Sequence, residues 1–222
     1  VNPTKAALAI VDASASSPPL VVHRTIDPEL LALNAKGYLN GHTPFSAYLA
    51  FLGITVAFLT GQEQVMVANE KSADEGNVVF YGMEINHQYS KSFRFEQNFR
   101  QYVTEFLPNA ATYFSVLRPL NDVQIAALFA SFPQYHTLFR SCNVGSKIGV
   151  WCGACAKCAF TYLILVPFLP PAAIAGIFGN DFFSRTEIIE FIRELVGLTP
   201  VKPFECVGTR DEAKFAVWLS VE

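Results

Sequence analysis

Four of the five cysteines in this 222-residue chain crowd into one segment, spaced Cys142-x9-Cys152-x2-Cys155-x2-Cys158. A C-x2-C knuckle brings two sulfurs to one side of a turn and leaves backbone N–H groups free to hydrogen-bond them. Here two knuckles share Cys155, and Cys142 arrives from a preceding loop, so the four sulfurs are expected to surround one tetrahedral Zn2+. A closed site of four thiolates has no open position, so the ion would be structural. An iron–sulfur cluster is the rival reading, because C-x2-C-x2-C resembles the start of a ferredoxin run. That run takes its next cysteine after x3, where this chain has Tyr162. Cys206 is left over, either a small buried hydrophobe or a replacement for Cys142 among the ligands. An odd, crowded set of cysteines is a poor disulfide framework.

Three polar stretches interrupt an apolar background. In Leu39-Asn-Gly-His-Thr-Pro44 a loop feeds a helix N-terminus, where free N–H groups and the helix dipole attract anions, so Gly41, His42 and Thr43 are candidate phosphate contacts. An ordinary N-cap after a glycine turn is the competing reading. Asn69-Glu-Lys-Ser-Ala-Asp-Glu-Gly-Asn77 offers Glu70, Asp74 and Glu75 as oxygen ligands for Mg2+ and Lys71 as a phosphate contact, against the alternative of a charged surface loop. Asn86-His-Gln-Tyr-Ser-Lys-Ser92 supplies acid–base candidates. His87 has a side chain that titrates near neutrality and Lys91 becomes a base if desolvated, while the plain alternative is a helix-capping loop. Arg118 and Arg140 are further possible anion contacts or core-edge arginines.

These residues need elements to hold them. The apolar runs Ala6–Val11, Leu20–His23 and Val65–Ala68 read as buried strands. Helix signals alternate with them: Asp27-Pro28-Glu29 opens a short helix, and Thr43 as N-cap with Pro44 at the first helical position opens a long one that stops at Gly61. Such alternation predicts an α/β layer with a largely parallel sheet, whose ligands sit beyond the carboxyl ends of the strands. Helical spacing continues from Phe93 to Pro108 and from Asn121 to about Ser131. Two amphipathic helices then follow, with capping boxes Ser184/Glu187 and Thr209/Glu212, the first closed by Gly197.

Hydrophobic residues make up 51% of the chain and charged residues only 16%, which excludes intrinsic disorder and leaves a surface thin in charge. A net charge of −3 gives no electrostatic footprint for a nucleic-acid partner. Two uncharged stretches, 40–62 and 159–180, invite comparison with membrane spans. The first would cover roughly 26 Å between its caps at about 1.5 Å per residue, short of a ~30 Å hydrocarbon core. The second is broken by Pro167, Pro170 and Pro171, so no membrane span is expected. The chain opens on Val1 with no signal-peptide pattern, and is expected to be an internal fragment.

Taken together, Asn40-Gly-His-Thr-Pro-Phe-Ser46, Asn69-Glu-Lys-Ser72, Asn86-His-Gln-Tyr-Ser-Lys91, Phe139-Arg-Ser-Cys-Asn143, Trp151-Cys-Gly-Ala-Cys-Ala-Lys-Cys158 and Pro203-Phe-Glu-Cys-Val-Gly208 resemble the bacterial UDP-N-acetyl-α-muramoyl-L-alanyl-L-glutamate epimerases over nearly the whole chain. The cysteine arrangement is also similar to the zinc site of ATP-dependent nitrile synthases. The resemblance implies an adenine nucleotide α-hydrolase-like fold, with 1–140 as the remainder of the nucleotide-binding domain and 141–222 as a zinc module with helices. The Ser-Gly-Gly-x-Asp-Ser pyrophosphate loop of that fold is missing, which fits N-terminal truncation and apolar surface awaiting the absent segment; the fragment alone is then expected to be inactive. It further implies a cytoplasmic enzyme that uses ATP and Mg2+ to invert the terminal L-glutamate of a UDP-linked muramoyl dipeptide. Within that scheme His87 and Lys91 would transfer protons, and Gly41, His42, Thr43, Glu70 and Lys71 would hold nucleotide phosphates and Mg2+. The alternatives are a nitrile-synthase-like enzyme and a non-enzymatic zinc-containing interaction domain.

Overall fold

A computed structural model describes residues 4–14, 18–38, 44–76, 78–107, 109–200, 202–203 and 205–221. Its first element is a helix, α1 (Lys5–Ser14), where the apolar run 6–11 predicts a strand. Ala6, Ala7, Ala9 and Ala13 have the highest helix propensity, a short apolar run fits either element, and Thr4 Oγ1 accepts the Ala7 N–H at 3.1 Å to start the turn. Leu20–His23 is not a strand either; Leu20 and Val21 are exposed and the run has no ladder partner among the described residues. The predicted short helix is present as α2 (Pro28–Ala35), capped by the Asp27 carboxylate, which accepts the Glu29 N–H at 2.9 Å. In α3 (Phe45–Thr60), Pro44 takes the N-cap position instead of the first helical one, while Thr43 lies outside the described residues. Gly61 ends α3 with φ +68°, a left-handed geometry that favours glycine.

The remaining predicted strand is β1 (Gln64–Val67). A 3₁₀ turn at Lys71–Asp74 follows, then a hairpin of β2 (Val78–Phe80) and β3 (Met83–Ile85), a second 3₁₀ turn at Tyr89–Lys91, and α4 (Phe93–Phe106). The chain then returns as β4 (Thr112–Ser115), which lies parallel to β1 with Val65 opposite Tyr113 and Val67 opposite Ser115. The architecture is therefore α/β, with a parallel sheet of two strands among the described residues. Helices α3 and α4 cover one face of it through Ala50, Ile54, Phe99, Val103 and Tyr113. Gly53 permits the close approach, since a Cβ there would lie 2.9 Å from Val65 Cγ1. Burial alternates along β1, and on the other face Met66 is 61% exposed.

The second core is helical. It is built from α5 (Asp122–Ala130), α6 (Pro133–His136), α7 (Ala156–Leu165), α8 (Pro171–Phe178), α9 (Thr186–Leu195) and α10 (Arg210–Val221). Helix α7 is its axis, buried at Ala156 and from Cys158 through Leu165, which accounts for a sequence apolar on every side. The prolines break 159–180 into α7, a 3₁₀ turn and α8. Among the described residues no helix is long and apolar enough to cross a membrane. The Thr209/Glu212 box forms, with Thr209 N–H and Oγ1 both donating to Glu212 Oε2 at 2.8 Å. The Ser184/Glu187 box does not. Ser184 Oγ donates to the Asp181 carbonyl at 2.7 Å inside a 3₁₀ turn, and α9 starts two residues later behind Arg185.

Candidate active site and metal centre

The sulfurs of Cys142, Cys152, Cys155 and Cys158 all lie within 4.8 Å of one another, with Cys152 and Cys158 at 3.7 Å. Thiolates about 2.3 Å from a tetrahedral centre stand ~3.8 Å apart, so the set fits a zinc-sized ion. Backbone N–H groups point at three of the sulfurs: Gly145 at 3.1 Å and Cys152 at 3.4 Å to Cys142, Ala154 at 3.4 Å to Cys152, and Cys158 at 3.5 Å to Cys155. Gly153, at φ +62°, makes the tight turn, and Arg185 clamps it through the carbonyls of Cys152 and Gly153. Cys155 is also the N-cap of α7, so one candidate ligand starts the central helix of the core. Its thiol is held well below the ordinary range, first by the hydrogen bond from Cys158. Arg140 donates to the carbonyls of Gly149, Thr137 and Phe139, the role of a core-edge arginine.

The second centre lies at the carboxyl ends of β1 and β4. Ser115, the last residue of β4, donates to the Asn69 carbonyl at 2.6 Å and accepts the Asn69 N–H at 2.8 Å, clasping the two strand ends. Arg118 then gathers what surrounds them. Its guanidinium donates to the Glu70 carbonyl at 2.9 Å, to the Lys91 carbonyl at 2.8 Å and to the Glu96 carboxylate at 3.1 Å. Glu96 is buried in α4, and its other oxygen accepts the Ser115 N–H. The loops carrying Glu70-Lys71 and His87-Lys91 are thus brought together. The second is fixed by Asn86, whose Nδ2 donates to the Ala73 carbonyl at 2.7 Å while its Oδ1 accepts the Gln88 N–H at 2.8 Å.

The three carboxylates considered for Mg2+ do not converge. Asp74 accepts the Phe93 N–H at 2.6 Å and Glu75 pairs with the buried Lys202 at 3.3 Å; among the described residues the only cluster of metal-ligand side chains is the cysteine set. Lys71 faces an open groove of about 810 Å³ shared with Arg210, Glu212 and Lys214. Beside the groove, burial pushes the Asp122 carboxyl up to about 7, against a hydrogen bond from Ser72 and with help from Glu212 and Glu70. Gly41, His42 and Thr43 lie outside the described residues.

Cys206 takes neither place foreseen for it. Its sulfur is 3.7 Å from His87 Nε2 and 3.7 Å from Lys91 Nζ, far along the chain from both, and it stands apart from the four-sulfur cluster. Its sequence signals are that it is the odd cysteine and that it lies in the Pro203-Phe-Glu-Cys-Val-Gly208 motif, neither of which points to His87 or Lys91. Arg118, a possible anion contact or core-edge arginine by sequence, bonds two carbonyls and Glu96 as a core-edge arginine does, just past a strand, β4, that the apolar pattern does not mark.

Residues 1–116 match the family model described as the MurL N-terminal domain, and residues 138–222 match the one described as the MurL C-terminal domain. Curated relatives named UDP-N-acetyl-alpha-D-muramoyl-L-alanyl-L-glutamate epimerase are similar along the chain. One from a Micromonospora species is 39% identical over 226 residues, covering 100% of this chain and 50% of its own length. One from Salinispora tropica is 38% identical, covering 99% and 49%, and one from Xanthomonas oryzae pv. oryzae is 37% identical, covering 90% and 46%. The chain thus spans about half the length of these relatives. No solved structure matches it.

Proposed function

The chain belongs to the MurL family of glutamate epimerases, and from that premise we propose that it serves the ATP-dependent inversion of the terminal L-glutamate of UDP-MurNAc-L-Ala-L-Glu in cytoplasmic peptidoglycan precursor synthesis. The chemical obstacle is an α-proton beside a free carboxylate, where removal would place a carbanion next to a negative charge. Attack of that carboxylate on the α-phosphorus of ATP expels pyrophosphate and leaves an acyl adenylate, whose carbonyl accepts the electron pair when the Cα–H bond breaks. A proton returns to the opposite face, and water then cleaves the anhydride to release AMP.

In this reading His87 and Lys91 handle the α-proton. Glu70, Lys71 and the Gly41-His42-Thr43 turn hold the nucleotide phosphates with Mg2+, and the four cysteines hold a structural Zn2+. Residues 1–140 are the remainder of an adenine nucleotide α-hydrolase-like domain and 141–222 the cysteine module with its helices. The uncovered face of β1 and β4 receives a further segment of the protein, since parallel sheets are normally buried on both faces. The observation that carries the reading is the Arg118 clamp, which joins the Glu70 and Lys91 carbonyls at the strand ends where α/β sheets bind ligands.

The test is to incubate the complete gene product with the UDP-linked dipeptide, ATP and Mg2+ and to determine the chirality of the glutamate after acid hydrolysis. D-glutamate formed together with AMP and pyrophosphate is expected. Glutamate that stays L, or inverts without ATP, overturns the proposal.

A further inference from the structure

We propose that Cys206 is the group that exchanges the proton with the substrate Cα, and that His87 and Lys91 act through its sulfur; this rests on the epimerase reading above. The three side chains meet from two distant segments, with the sulfur within hydrogen-bonding reach of both His87 Nε2 and Lys91 Nζ at 3.7 Å. Both segments are anchored independently. The 86–91 loop is held by Asn86 on the Ala73 carbonyl and by Arg118 on the Lys91 carbonyl. The 205–208 segment is held by Glu205, which accepts the Lys157 N–H at 3.1 Å, and by Gly208, where a Cβ would lie 2.3 Å from the Phe160 ring. Cys206, His87 and Lys91 are all half-buried, so the cluster lies neither in the sealed core nor on the open surface.

Geometry also sets the division of labour. Groups serving opposite faces of one carbon, each within about 3 Å of it, stand ~6 Å apart. His87 and Cys206 are too close for that and serve the same face. The Cys206 thiolate takes the α-proton: the Cα–H bond breaks, an S–H bond forms, and the electron pair moves onto the activated carbonyl. Water supplies the proton to the opposite face. The S–H proton then leaves to solvent through His87, which restores the thiolate, with Lys91 as its counter-ion. No net proton is gained or lost, and no oxidant or reductant is needed.

The experiment compares Cys206→Ser and Cys206→Ala with the wild type in the complete gene product loaded with zinc. Three quantities are read: deuterium entry at the substrate Cα in D2O, substrate-dependent ATP–pyrophosphate exchange, and bound zinc. Both variants are expected to lose deuterium entry by about 10²-fold or more, while pyrophosphate exchange and zinc content stay at wild-type levels. Deuterium entry at the wild-type rate in Cys206→Ser overturns the assignment, and so does loss of all three together, which would mark the residue as structural. A wild-type protein that epimerises nothing sinks the functional reading instead. In the wild type, bound substrate is further expected to slow alkylation of Cys206 by iodoacetamide; an unchanged rate counts against the assignment.

Discussion

Glu205 accepts the backbone N–H of Lys157 at 3.1 Å, so the segment that ends in Cys206 hangs from the turn that carries Cys155 and Cys158. The four-cysteine cluster and the strand-end site are thereby tied through this hydrogen bond. None of the five cysteines is in a disulfide, and bound thiolates react slowly with disulfide reagents. Loaded with zinc, the ion we propose for the four-cysteine cluster, the protein is expected to show one fast thiol, Cys206, towards a chromogenic disulfide. After a chelator strips the ion all five should react, with loss of α7 helicity by circular dichroism.

Arg118 and Glu96 form a nearly buried ion pair, with side chains 12% and 5% exposed. Removing one partner of such a pair leaves an uncompensated charge, at a cost of about 3–5 kcal/mol. Glu96→Gln should lower stability by that order in urea unfolding. Arg118→Met should do the same and also release the two loops it clamps, measurable as faster amide exchange around Glu70 and Lys91.

Asp122 supplies a pH signature. Its carboxyl titrates at about 7 in the folded state and near ~3.9 when unfolded, so the folded chain binds that proton more tightly. Stability from this group is fully present below the unfolded value and is lost as pH rises towards 7. Melting temperatures measured between pH 4 and 8 should fall with rising pH in the wild type more steeply than in Asp122→Asn, and parallel curves would refute the assignment.

Gly208 leaves no room for a side chain, because a Cβ would sit 2.3 Å from Phe160 Cζ and 3.1 Å from Asp122 Oδ2. Gly208→Ala should therefore destabilise by about 1–3 kcal/mol, the usual range for an overpacked core. Gly53→Ala meets only the Val65 side chain and is expected to cost less; chemical denaturation of the two variants orders them.

The parts of this molecule that could be read from sequence are those fixed by local chemistry. The cysteine spacing, the Asp27 and Thr209 caps and the Gly61 and Gly197 stops each depend on residues a few positions apart, and each is present. Strand identity was harder. Ala6–Val11 and Val65–Ala68 look alike as apolar runs, but only the second finds a partner, and that partner, β4, carries no strong apolar pattern. Arg118 stands among the candidate core-edge arginines of the sequence, but its partner Glu96 and the place of Cys206 beside His87 and Lys91 are not legible there, since they exist only through contacts made by folding distant segments together. The capping box at Ser184 failed because Asp181, three residues earlier, competes for the same turn.

The pairing of β1 with β4 has a consequence for how the chain reaches its native state. A parallel pair cannot close through a tight turn, so the hairpin and α4 must be traversed before Val65 can meet Tyr113. Helices α3 and α4 meet edge to face through Phe51 and Phe99, and on the order that loop closure favours they are expected to form before the strands are recruited onto them. During that delay both strand edges are unpaired. Refolding yield should therefore depend on protein concentration far more than refolding rate does, with Met66 and its neighbours as the point where one chain adds to another.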